Sequence, residues 1–337
     1  MSSRHKKEEP RPRRTFRVLL VIALLALAGG FYLLSARPST NKETVDFEVP
    51  PGAGIHRVAS DLESKGLISS KEAFKLYMRL SGKAGAIKAG TYELGPSLSM
   101  LEIGERLASG KVKLLALTIP EGWTNRQIGD YLTVKGLVKD RADFLRMAAD
   151  SGLLGEFSIP AETTEGYLFP ETYHVPAGYS PMQLQKLMIK NFRAALRKAG
   201  APTDLRPDLL HERVILASIV EREAVRPEER PMMAQVFINR LEKKMRLESC
   251  ATVQYLFDKP RPRLFEKDLK IDSPYNTYQI KGLPPGPVSN PGLAALKAAF
   301  APEKSTYLYF VLKPDGSHHF SETYKEHLDA KKKYLDT

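Results

Sequence analysis

Residues 214–220 are apolar except for Ser218, and the run then meets an acid, Glu221. A helix that is apolar almost all round reads as buried rather than as a surface helix. On such a helix the neighbours of Glu221 at three and four positions are Ala217, Ser218, Ala224 and Val225, none of them a cation. The carboxylate would lose water and gain no local counter-ion, so its pKa is expected to rise. An acid that keeps its proton near neutral pH suits general-acid catalysis. Glu223 is the internal control: with Arg226 three residues on, it is expected to stay ionised on a wetter face.

Elsewhere the pattern predicts a repeat. The segment opening at Val49-Pro50-Pro51-Gly52 aligns without gaps, at an offset of 70, with the one opening at Ile119-Pro120-Glu121-Gly122. Leu62/Leu132, Lys65/Lys135, Gly66/Gly136 and Phe74/Phe144 are identical. Each copy predicts a strand, a Pro-Gly turn, a helix (55–65; 125–135) and a Gly cap. Between them, 89–94 and 112–119 read as strands and 100–109 as a helix. Further helices are predicted over 140–151, 181–199, 231–243 and 293–300, with 165–173 extended. Residues 273–292, rich in Pro, Gly and Asn, read as loop. Residues 307–312 and 319–320 read as a hairpin around Pro314-Asp315-Gly316, followed by a solvated Lys-rich helix. The fold class is α+β.

Residues 18–34 contain no charge and amount to about 25 Å of helix, the short end of a membrane span. Seven Lys or Arg against two Glu in residues 1–17 supply +5 of the +12 net charge. The excess at this flank predicts a cytoplasmic tail (1–17), a transmembrane helix (18–36), a linker (37–46) and an extracytoplasmic remainder. A cleaved signal peptide is the rival, but Leu34 and Arg37-Pro38 make a poor cleavage site. With the basic excess there and no aromatic-basic motif, nucleic acid is not expected as a partner. Cys250 is the only cysteine, so no intramolecular disulfide forms. His318, His319 and His327 do not match zinc spacing, and there is no HExxH, so no metal is expected.

The motifs EGYLFPETY, ILASIVERE, VFINRL, YNTY and GLPPGPVSNPG follow the IPEG turn in order. In this the chain from Phe47 onward resembles the YceG-like endolytic murein transglycosylases. The resemblance implies a LysM-like module (47–114) and a periplasmic catalytic domain (115–337) in a bacterial inner-membrane protein. It implies cleavage within nascent peptidoglycan strands to leave 1,6-anhydro-N-acetylmuramoyl ends, and peptidoglycan synthases as partners. The family's essential acid lies in its SIVE motif, here Ser218-Ile219-Val220-Glu221. One segment departs: Glu248-Ser249-Cys250-Ala251-Thr252 stands where the family commonly has Gln, Thr or Ser, Asp, Pro and Thr. Glu248-Ser249 also imitates the catalytic pair of lysozyme-like transglycosylases, whose supporting GLMQ-like motif is missing here.

Most glycosidases flank the scissile bond with two carboxylates. A lytic transglycosylase manages with one, because the muramoyl C6 hydroxyl attacks internally; no cofactor is expected. Glu221 is the candidate acid, with a purely packing role as the alternative. Candidate substrate-binding residues are Asn239, Thr252, Tyr275, Asn276, Thr277, Glu171 and Tyr173. Asn239 could instead serve helix packing, and the Tyr275–Thr277 loop could be structural. A second carboxylate at Glu165 or Glu171 would make a muramidase that releases reducing ends. A non-catalytic wall-binding scaffold is the remaining alternative.

Overall fold

The computed structural model describes residues 16, 18–22, 29, 30 and 43–335, and the chain divides into two compact units. The tail expected at 1–17, the transmembrane helix expected at 18–36 and the linker fall for the most part outside the described residues. Among those described, no helix is long and apolar enough to cross a membrane.

The first unit takes in residues up to Leu115 together with His174–Gly178. Its sheet is antiparallel, β1 (Val45–Val49) on β2 (Gly90–Leu94), with Phe47 opposite Tyr92. Alternation sets the faces: Phe47 and Val49 on β1, and Tyr92 and Leu94 on β2, point into the core. The helices Ile55–Ser64, Lys71–Leu80 and Met100–Ser109 cover them with Leu62, Phe74, Met78, Ile103 and Leu107. Each such side chain, fully buried, contributes about 1.5–3 kcal/mol.

The second unit comprises Ala116–Tyr173 and Tyr179–Thr337. The predicted repeat is real: the helices Asn125–Val134 and Arg141–Ala148 start 70 residues after Ile55 and Lys71. Gly52 and Gly122 share φ near +75°, and Leu62, Leu132, Phe74 and Phe144 are all sealed from solvent. Two short strands, β3 (Leu114–Thr118) and β4 (Thr172–Pro176), each belong partly to this unit, where Thr118 Oγ1 lies 3.0 Å from Thr172 Oγ1. Within this unit Ile119 N–H donates to the Glu171 carbonyl at 3.0 Å.

The unit's core is helical. Pro207–Glu223 buries every residue from Val214 to Glu221. The alanine-rich helix Leu293–Phe300 packs closely against it, its small side chains allowing close approach, and Arg230–Glu242 packs against both. The hairpin β5 (Tyr309–Leu312) and β6 (His318–Ser321) pairs Phe310 with Phe320, and the exposed helix Tyr324–Leu335 follows.

Two sequence expectations change, and one element is new. The helix predicted over 140–151 breaks at Ala148, because Asp150 caps a separate helix, Ser151–Glu156, by accepting from Leu153 N–H. Residues 165–168 turn rather than run extended, with Tyr167 N–H bonded to the Thr164 carbonyl, and only Thr172 and Tyr173 of the predicted 165–173 stretch are strand. A short helix, Cys250–Gln254, stands in the departing segment.

Candidate active site

Glu221 lies in the last turn of its helix, and its side chain is 4% exposed. Burial and the negative end of the helix dipole both disfavour the anion. No cation stands three or four residues from Glu221 along its own helix, as the spacing predicts, but the next helix supplies one. The chain turns back at Ala224 and brings Arg230 Nη2 to 2.6 Å from Glu221 Oε1. Glu221 Oε2 accepts the Gly292 N–H at 2.9 Å. Burial still raises the Glu221 pKa above its ordinary value; Gly292 N–H, Arg230 and Arg222 pull it down, and the negative charge of Glu121 pushes it up.

Two loops hold the acid in place. Val288 N–H donates to Ser218 Oγ at 3.0 Å, and Ser289 Oγ donates to the Ser218 carbonyl at 3.1 Å, so the VSNPG loop runs along the SIVE turn. The IPEG turn docks from another side. Gly122 N–H donates to the Asn290 carbonyl, Asn290 N–H to the Trp123 carbonyl, and Arg222 Nη1 to the Gly122 carbonyl.

Asn290 leads on to a second buried acid. Its Nδ2 lies 3.2 Å from Glu165 Oε1, and both Glu165 oxygens accept the Asn125 N–H at the start of its helix. Tyr255 Oη is 3.4 Å from Glu165 Oε2. Burial outweighs these donors and pushes the Glu165 pKa up to about 8. Glu165, Tyr255 and Tyr275 line a cavity of about 620 Å³ with Glu162, Thr163 and Pro287; Glu221 is not among its lining residues. Behind this lining Gly166, at φ +85°, lets Pro287 pack close, since the proline ring atoms would lie 2.5 Å from any Cβ.

The other candidates separate. Tyr275 reaches the cavity, its ring tilted against Tyr255 with centroids 5.0 Å apart. Asn276 is buried and spends its amide on the carbonyls of Leu269 and Ile271. Thr252 and Thr277 are buried hydroxyl to hydroxyl at 2.8 Å. Asn239 binds the Ser305 and Tyr307 carbonyls and receives Gln235 Nε2, and none of these bonds goes to Glu221. Glu171 is exposed and accepts from Asn191. Tyr173 is buried, donates to the Phe169 carbonyl, and has its pKa raised by burial.

The expected pairing of Glu223 with Arg226 does not form. Glu223 is half-buried and accepts from Ser249 Oγ and Ala251 N–H, while Arg226 donates to the Asp315 carbonyl. Glu248 is exposed, paired with Arg240 at 3.0 Å, and takes φ +51°. Sequence reasoning left Arg230, Glu121 and Gly292 out of the site. The signal available for Glu121 was a carboxylate replacing Pro51 in an otherwise matching turn.

The model of the YceG-like family matches residues 47–333. An endolytic murein transglycosylase of Bacillus subtilis (strain 168) is 32% identical over 93% of this chain and 92% of its own length. One of Streptococcus pneumoniae serotype 2 is 30% identical over 92% of this chain and 63% of its own. The crystal structure of a YceG-like protein from Listeria monocytogenes aligns with a TM-score of 0.55 at 35% identity, covering 86% of this chain and all of that one. A match that spans the acid, the loops that hold it and the repeat before them settles the kinship: the chain belongs to the YceG-like family.

Proposed function

We propose that this protein cuts the MurNAc-GlcNAc β-1,4 bond within nascent peptidoglycan strands, leaves 1,6-anhydro-MurNAc ends, and so terminates glycan elongation. The chain is a lytic transglycosylase. The observation that carries the finer reading is Glu221, dry at the end of its helix between the Gly292 N–H and Arg230. Glu221 gives its proton to the glycosidic oxygen as the C1–O bond breaks. The carboxylate so formed takes the C6 hydroxyl proton as O6 closes on C1. Tyr275 in the adjoining loop offers a sugar-stacking face.

In this reading residues 18–36 anchor the protein in the bacterial inner membrane, with the tail inside and the site in the periplasm. Residues 47–114 act as a LysM-like module, and peptidoglycan synthases are partners. The basic flank and the uncharged stretch support the orientation.

The test is digestion of uncrosslinked glycan by the detergent-solubilised chain, comparing wild type with Glu221→Gln. Loss of about 10²-fold or more in rate with folding intact is expected; anhydro products from a folded Glu221→Gln protein would refute the assignment. One observation favours a second reading. Glu165 is a buried acid that does line the cavity, and if it acted on substrate as a second carboxylate the enzyme would be a muramidase. Mass spectrometry separates the two, because the anhydro product is lighter by one water.

A further inference from the structure

Arg230 has two carboxylates within reach and holds one of them. Its Nη2 is 2.6 Å from Glu221 and 3.9 Å from Glu121 Oε2. The contact with Glu221 is a single hydrogen bond rather than a guanidinium fork, and Arg230 Nε is buried with no hydrogen-bond partner. Arg230 is therefore incompletely tied, although its side chain is only 10% exposed. Glu121 differs from Glu221 in access, its side chain being 50% exposed. It is nonetheless fixed against the site. A Cβ on Gly292 would fall 1.9 Å from Glu121 Oε1, so the carboxylate occupies the space that the missing side chain leaves.

The pairing poses a chemical problem. A guanidinium at 2.6 Å favours the carboxylate form of Glu221, whereas an acid catalyst must hold a proton. Taking Glu221 as the acid, we infer that Glu121 is its positioning residue, the alternative partner that draws the Arg230 guanidinium off Glu221. The transfer needs only the 3.9 Å gap closed to hydrogen-bond distance. With Arg230 on Glu121, the acid is left dry against the Gly292 N–H and keeps its proton. When the proton has gone to the glycosidic oxygen, the guanidinium returns to the carboxylate just formed. The charged groups facing Glu221 are Arg230, Glu121 and Arg222. Removing the Glu121 charge lowers the proton affinity of Glu221 twice over: a neighbouring anion is lost, and Arg230 is left with one partner.

The experiment measures kcat/KM on uncrosslinked glycan against pH for the full chain, its Glu121→Gln and Glu121→Asp variants, and Glu221→Gln. Glu121→Gln should move the basic limb of the profile down by about one pH unit and slow the neutral rate by roughly tenfold. Glu121→Asp should restore most of both. Gly292→Ala, which pushes the Glu121 carboxylate aside without removing its charge, should move the limb the same way. A Glu121→Gln limb that stays in place, whether the rate drops uniformly or not at all, would overturn the inference. If Glu221→Gln is inactive at the same time, the acid assignment survives and the role of Glu121 alone is lost. A Glu221→Gln protein that stays active removes the acid first.

Discussion

The two copies of the repeat have the same backbone and different chemistry. Both turn through a glycine at φ near +75° and enter a ten-residue helix. In the first copy the turn carries Pro51 and the helix opens on Gly54 and Ile55, with Ile55 packed against the unit's apolar core. In the second, Glu121, Thr124 and Asn125 stand at the same places. Glu121 reaches Arg230, Thr124 makes a capping box with Gln127, and Asn125 is buried among Glu165, Thr164 and Asn290. One strand-turn-helix frame thus serves as pure packing in one copy and as a support for two acids in the other. Three changed positions carry the difference, while the rest of the repeat keeps the frame.

The strongest way to break the contrast is to give the second copy the residue of the first. Asn125→Ile removes the donor to Thr164 Oγ1 and the acceptor for Asn290 Nδ2, both inside a buried network. Each group keeps another partner, Gln185 Oε1 for Thr164 and the Trp123 carbonyl and Glu165 Oε1 for Asn290. The loss is therefore two hydrogen bonds at about 0.5–1.5 kcal/mol each, plus about 1–3 kcal/mol for forcing a branched apolar side chain into a packed polar site. Denaturant unfolding should show a loss of about 2–5 kcal/mol. Because Asn290 lies two residues from the Gly292 that binds Glu221, activity should fall by on the order of tenfold to a hundredfold. Unchanged stability would mean that the network does not hold the second copy.

That contrast also marks what the sequence could tell. The repeat was legible because its glycines, Leu62/Leu132 and Phe74/Phe144 recur in register. Glu221 was legible because seven residues before it prepare a burial that the acid must share. Arg230 was not, because counting neighbours along one helix cannot see a cation returned by the next. Asn276, Thr277 and Thr252 read as sugar ligands because they are polar residues in or beside a loop. They are buried because a long irregular segment has no ladder, so its backbone groups must find side-chain partners. The same demand explains Asn239, whose amide closes the carbonyls at Ser305 and Tyr307.

A smaller effect sharpens the role of the acid that Asn125 anchors. Glu165 titrates at about 8 in the folded protein against an ordinary 4.5. Between those values the folded state holds a proton that the unfolded state has released, so stability falls as pH rises through the window. At about 1.4 kcal/mol per pH unit the effect reaches a few kcal/mol by pH 8. Glu165→Gln stays neutral and keeps an oxygen for the Asn125 N–H, so it should flatten this decline. Its Tm should exceed that of wild type at pH 9 and match it at pH 5. Parallel Tm-against-pH curves would mean that Glu165 is already ionised at neutral pH.

The smallest test concerns the caps. Thr124 accepts the Gln127 N–H, and Gln127 returns a contact to the Thr124 N–H, whereas Gly54 offers no side chain to its helix. Thr124→Ala should cost about 1 kcal/mol. Gly54→Ser should gain only a few tenths, because glycine is itself a tolerable cap. The position admits the change: Gly54 has a φ of −76° in the extended region, and a Cβ added there would meet nothing within 4 Å. The two substitutions move in opposite directions on the same frame, and neither touches Glu221. If Thr124→Ala instead cuts activity far more than stability, then the start of the second helix does more than hold its shape, and the division between frame and chemistry drawn from the two copies has to be moved one residue toward the N-terminus.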